Sequence, residues 1–176
     1  MNNIVNNIWE EEHSSKRRVC MLMITHACNL KCSYCYETHK QNAYMTIDLA
    51  KDIILKEAKM IEKSDQFDEI QIDFMGGEPL MNFSLIKDVV EWLESGAINV
   101  PWVCFASTNA TLINKDIRAW LKEHKKYMIL GISYDGTSRM QSKNRGTDQY
   151  DIDLDFFHEL WPEQTFQMTI SKHFHF

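Results

Sequence analysis

Three cysteines, Cys28, Cys32 and Cys35, fall within the segment Cys28-Asn29-Leu30-Lys31-Cys32-Ser33-Tyr34-Cys35. With three and then two residues between them, their thiolates can wrap one compact inorganic centre. A cubane [4Fe–4S] cluster takes four ligands, so three protein thiolates leave one iron open to a small molecule. An open coordination position separates a catalytic centre from a closed structural one. The alternative for the same residues is a structural zinc site with His26 or His39 as the fourth ligand. Zinc sites usually pair two short Cys or His hooks far apart in sequence. Here all three thiols lie in one hook and no second hook follows. The segment is polar and loop-like, which is not the setting of buried cysteine fillers.

A second candidate is Gly76-Gly77-Glu78-Pro79. Two glycines let a backbone approach a ligand closely and adopt positive φ. Glu78 adds a carboxylate and Pro79 stiffens the exit. Backbone carbonyls and a carboxylate together can hold an ammonium group. The same four residues also read as a tight strand-to-helix turn, and the motif alone does not decide between the two.

Both segments need a scaffold. Val19-Cys20-Met21-Leu22-Met23-Ile24 is a continuous apolar run, which predicts a strand buried on both faces; the cysteine segment follows it directly. Thr46 is placed to cap a helix of about 17 residues with Ala50, Ile53, Ile54, Ala58 and Ile61 on one face. Ile70–Phe74 alternates as a second strand and leads into the glycine pair. A helix is expected over Ser84–Glu94, with Leu85, Ile86, Val89, Val90 and Leu93 inward and Gly96 as its stop. A third strand is expected over Trp102–Ala106. Asn114 is placed to cap a helix running to His124, and Met128–Ser133 reads as a fourth strand. Residues 137–150 are polar and read as a loop. Ile152–Leu160 reads as a short helix stopped by Pro162, and Phe166–Ile170 as a fifth strand. Strands alternating with helices of these lengths predict βαβ units and an α/β fold with a parallel sheet. Both candidate segments then fall at the carboxyl ends of strands, where such folds build their sites.

The 176 residues favour one domain. Residues 1–17, which include Glu10-Glu11-Glu12, read as a polar extension, and 18–176 as the folded core. A net charge of −6 and the lack of a long basic run argue against a nucleic-acid partner. No stretch approaches the roughly 20 apolar residues of a membrane span, and the first residues lack the form of a secretory signal. Five cysteines, three of them clustered, do not suggest a disulfide framework. They fit a reducing cytoplasm. Cys20 and Cys104, each within a strand, read as buried apolar fillers.

The segment Cys28–Cys35, with an aromatic residue before its last cysteine, resembles the signature of the radical S-adenosylmethionine (radical SAM) enzymes. Gly76-Gly77-Glu78-Pro79 is similar to their methionine-binding turn. Ser107-Thr108-Asn109-Ala110-Thr111-Leu112, Ser133-Tyr134-Asp135-Gly136 and Asn144-Arg145 resemble turns after strands three and four in the branch of anaerobic sulfatase maturases and peptide-modifying maturases. The resemblance covers about residues 18–172. It implies a partial (β/α) barrel, with about five of the family's six strands present and the fold cut short at its C-terminal end. It also implies a [4Fe–4S] cluster on Cys28, Cys32 and Cys35 and S-adenosylmethionine as second cofactor. Tyr34 would lie near the adenine, Gly76, Gly77 and Glu78 would receive the methionine ammonium, Ser133 would reach the ribose, and Arg145 would meet the methionine carboxylate. The implied chemistry is reductive cleavage to a 5′-deoxyadenosyl radical, with a peptide or protein substrate and a reductant such as a flavodoxin or ferredoxin. The competing reading is a fragment that holds cluster and cofactor without turnover. Ala110 stands where the family carries glycine, so a positive φ there would be strained.

Overall fold

The computed structural model describes residues 16–147, 151–163 and 165–172. The expected N-terminal extension therefore lies almost wholly outside the described residues. Arg17 opens the first strand, held there by an ion pair from its Nε to Glu69 Oε2 at 2.9 Å.

Five strands form one parallel sheet in sequential order: β1 (Arg17–Thr25), β2 (Glu69–Gly76), β3 (Trp102–Thr108), β4 (Met128–Ser133) and β5 (Phe166–Gln167). Parallel neighbours need a crossover, and helices supply them. These are α1 (Ile47–Ile61), α2 (Phe83–Glu94) behind a 3₁₀ turn at Pro79–Asn82, α3 (Lys115–His124), α4 (Ser138–Arg145) and α5 (Leu154–Leu160). The result is the α/β fold expected from the sequence, a partial (β/α) barrel of five strands.

The local chemistry of the ends agrees with these boundaries. Thr46 Oγ1 accepts the Leu49 N–H, and Asn114 Oδ1 accepts the N–H groups of Asp116 and Ile117 at 3.0 and 2.9 Å. Each bond satisfies a donor that the helix itself leaves orphaned. The core lies between the sheet and the helices. Leu22, Ile24, Ile70, Ile72, Phe74, Cys104, Met128, Leu130 and Ile132 point from the strands to Ala50, Ile54, Val89, Val90, Leu93, Leu121 and Phe157 on the helices, all buried. Cys20 and Cys104 belong to this layer, as expected of apolar fillers, and burial pushes the Cys20 thiol up to about 11.

Three expectations are corrected. β1 is buried on one face only: Cys20, Leu22 and Ile24 are inside, while Met21 is 67% exposed and Val19 and Met23 are also open. Those three face the inner side of an arc that five strands do not close. Residues 138–145 form α4 rather than loop. Thr137 Oγ1 accepts the Met140 N–H and Gly146 at φ 71° ends the helix. The fifth strand is two residues long, because past Gln167 the chain leaves β4: the Thr169 N–H goes to Asp135 Oδ1 at 3.2 Å instead of a ladder partner. Among the described residues no helix is long and apolar enough to cross a membrane.

Candidate cluster and cofactor site

The cysteine loop leaves β1 at Thr25 and returns to it. His26 N–H and Thr25 Oγ1 both donate to Ala43 O, and Met45 N–H donates to Ile24 O at 2.9 Å. The long excursion is thus closed at its base, and inside it Cys35 N–H bonds Cys32 O at 3.1 Å in a tight turn. Cross-links fix the loop to the rest of the barrel mouth. Ser33 N–H donates to Asn144 O at 2.7 Å. Tyr34 Oη donates to Asp135 Oδ2 at 2.9 Å. Asn29 Nδ2 donates to Thr111 Oγ1, and Asn29 Oδ1 accepts from Asn109 Nδ2.

The glycine pair explains why β2 can approach this loop. Gly77 N–H donates to Thr25 O and Glu78 N–H to Ala27 O, so β1 and β2 stay paired beyond the regular ladder. A Cβ on Gly77 would lie 2.5 Å from Ala27 O and 2.9 Å from the Cβ of Cys28; one on Gly76 would lie 2.6 Å from Thr25 O. Positive φ is not the reason for either glycine, since neither has it. Close backbone approach is.

Glu78 is 1% exposed and its oxygens are well occupied. Oε1 accepts from Leu80 N (3.0 Å) and Thr108 Oγ1 (2.6 Å), and Oε2 from Asn109 N (2.8 Å). Burial raises its pKa; these hydrogen bonds and the Arg145 charge oppose the rise. The carboxylate therefore ties the β2 exit to the β3 exit, a role the motif alone did not reveal. Just beyond it Ala110 adopts φ 61° while almost completely buried. The strain foreseen at that position is present.

All nine residues singled out from the sequence line one cavity of about 400 Å³ at the carboxyl ends of the strands. They are Cys28, Cys32 and Cys35, Tyr34, Gly76, Gly77 and Glu78, Ser133, and Arg145. Its size is that of a small-molecule site. The three cysteines are unpaired and only half-buried, so their thiols are accessible. Burial pushes the Cys32 thiol up and the nearby Arg145 charge pulls it down. Three accessible thiols on one closed loop beside an open cavity are a donor set that fits an iron–sulfur cluster with a free coordination position. Among the described residues no three His, Cys, Asp or Glu side chains converge on a single-ion position, the three cysteines included. His26 Nδ1 instead lies 3.7 Å from Glu37 Oε2, and His39 Nδ1 pairs with Thr38 Oγ1.

Two residues central to the site were not singled out. Asp135 is fully buried and gathers Tyr34, Arg145 and Thr169 on its carboxylate. Gln141, also fully buried, accepts the Asp135 N–H at 3.0 Å. The helix that carries Gln141 and Arg145 lacks an apolar stripe, so periodicity does not announce it.

Comparison with known proteins identifies the family and the fold. Residues 17–152 match the family described as "4Fe-4S single cluster domain", and the chain belongs to that family, within the radical SAM superfamily. It is 39% identical over 116 residues to an uncharacterised protein of Methanocaldococcus jannaschii, covering 66% of this chain and 38% of that protein. It is 28% identical over 152 residues to the radical SAM cyclopropyl synthase TigE of Paramaledivibacter caminithermalis, covering 78% of this chain and 31% of the synthase. In fold it is similar to anSMEcpe, solved with bound AdoMet and the Kp18Cys peptide, at a TM-score of 0.64 and 21% identity over 86% of this chain and 42% of that one. The chain thus spans less than half the length of each.

Proposed function

We propose that this chain holds a [4Fe–4S] cluster on Cys28, Cys32 and Cys35, binds S-adenosylmethionine in the adjoining cavity, and generates a radical that modifies a peptide or protein. The observation that carries the reading is the convergence of all nine residues on one cavity. A bound cluster supplies the electron, received from a reductant such as a flavodoxin or ferredoxin, that cleaves S-adenosylmethionine to methionine and a 5′-deoxyadenosyl radical.

The protein's own groups bind and orient. The backbone at Gly76 and Gly77 offers carbonyl oxygens to the methionine ammonium, with the buried Glu78 charge behind them complementing its sign. Arg145 receives the methionine carboxylate, for which its planar fork is suited. The Ser133 hydroxyl reaches the ribose, and Tyr34 stands beside the adenine. A peptide substrate is supported by the fold likeness to anSMEcpe, which was solved with a peptide bound.

The alternative is a domain that binds cluster and cofactor but does not turn over, favoured by the five-stranded arc. Anaerobic reconstitution with iron and sulfide, reduction, and assay of S-adenosylmethionine for 5′-deoxyadenosine separate the two. Product formation is the expected result. A brown protein that binds S-adenosylmethionine and yields no product in any reductant would establish the alternative.

A further inference from the structure

We propose that Asp135 is a positioning residue that locks the cofactor-facing groups Tyr34 and Arg145 into one unit; this rests on the cofactor reading above. Asp135 is fully buried and does not itself line the cavity, whereas its three partners do. Its Oδ2 accepts from Tyr34 Oη at 2.9 Å and lies 3.2 Å from Arg145 Nε. Its Oδ1 accepts from Arg145 Nη2 at 3.3 Å and from Thr169 N at 3.2 Å. The guanidinium carbon of Arg145 stands 5.4 Å from the centroid of the Tyr34 ring. One carboxylate therefore joins four separate pieces of chain: the cysteine loop, the β4 exit, the end of α4 and the β5 exit.

The backbone of Asp135 is pinned as well. Its N–H goes to Gln141 Oε1 at 3.0 Å, and Gln141 Nε2 donates onward to Thr147 Oγ1 at 3.2 Å. Arg145 is 6% exposed, and a buried guanidinium is held in place only by its counter-charge and hydrogen bonds. With Nε and Nη2 turned to Asp135, the direction in which the rest of the fork can meet a ligand is set by this pair. The same carboxylate fixes the Tyr34 hydroxyl, between Cys32 and Cys35, so cofactor contacts and cluster loop move together.

The test is S-adenosylmethionine affinity, measured by equilibrium dialysis on the anaerobically reconstituted chain, with iron content and the electron paramagnetic resonance signal of the reduced cluster recorded alongside. Asp135→Asn is expected to keep its iron, weaken cofactor binding by about tenfold or more, and blunt the change that the cofactor produces in the resonance signal. Arg145→Lys, which keeps the charge but not the fork, is expected to weaken binding too, and the double variant to lose less than the product of the two single losses, because the two residues share one contact while Asp135 also holds Tyr34. Wild-type affinity in Asp135→Asn, or losses that multiply in the double variant, would overturn the proposal. If Asp135→Asn does not fold, Tyr34→Phe removes a single hydroxyl and carries the test: a several-fold loss supports the lock and unchanged affinity refutes it. Failure of the unaltered chain to bind S-adenosylmethionine would instead overturn the cofactor reading and this inference with it.

Discussion

Gly77 shows how one missing side chain shapes the site. The β2 exit can lie against Ala27 and Cys28 because nothing projects between them. Gly77→Ala puts a methyl group 2.5 Å from a backbone oxygen that already serves as acceptor for Glu78 N–H. Relief requires the strand or the cysteine loop to shift, at a cost of about 1–3 kcal/mol for an overpacked site. The expected outcome is a lower midpoint in urea and less iron per chain after reconstitution, the second because the displaced segment begins at Cys28. Glu78 belongs to the same scale. Its sequence context suggests a ligand contact, yet its oxygens receive Leu80, Thr108 and Asn109. Its direct work in this chain is to hold two turns together.

At the scale of elements, helices and strands with apolar periodicity were legible and polar ones were not. The helices from Thr46 and Asn114 announce themselves by a cap and an apolar stripe. α4 has the cap, Thr137, and the stop, Gly146, but its inward face is Met140, Gln141, Asn144 and Arg145. That face is buried through hydrogen bonds rather than apolar area, so a hydrophobic pattern passes over it. Capping chemistry alone could have found it. The inner face of β1 was misread for a related reason: an unbroken apolar run says that both faces are apolar, not that both are covered. The turn after β3 offers a test at this scale. Ala110 at φ 61° occupies a region that costs a non-glycine residue about 1–2 kcal/mol, partly offset by the greater freedom glycine has when unfolded. Ala110→Gly is expected to raise unfolding free energy by up to about 1 kcal/mol, read from chemical denaturation, with the Asn109 and Glu78 hydrogen bonds unchanged.

Across the whole molecule, the site is assembled from the exits of all five strands and from α4, so no single segment owns it. The cysteine loop reaches Asn144 and Asp135 far along the chain, and Glu78 reaches the β3 exit. This is why the motifs could be recognised singly while the network joining them, centred on Asp135, could not: its link to the cysteine loop, from Tyr34, spans 101 positions in sequence. A ligand that bridges these exits should stabilise the fold as a unit. S-adenosylmethionine at about 100 times its dissociation constant is expected to add about 2.7 kcal/mol to the reconstituted protein, seen as a rise in the thermal midpoint that S-adenosylmethionine does not produce in the cluster-free chain.

The most direct test of the account is the iron and acid-labile sulfide content of the anaerobically reconstituted protein beside its Cys32→Ala variant. The account predicts about four irons per chain in the unaltered protein and loss of the cluster in Cys32→Ala. Full iron retention by that variant, or a colourless protein that takes up one zinc in place of iron, would contradict it.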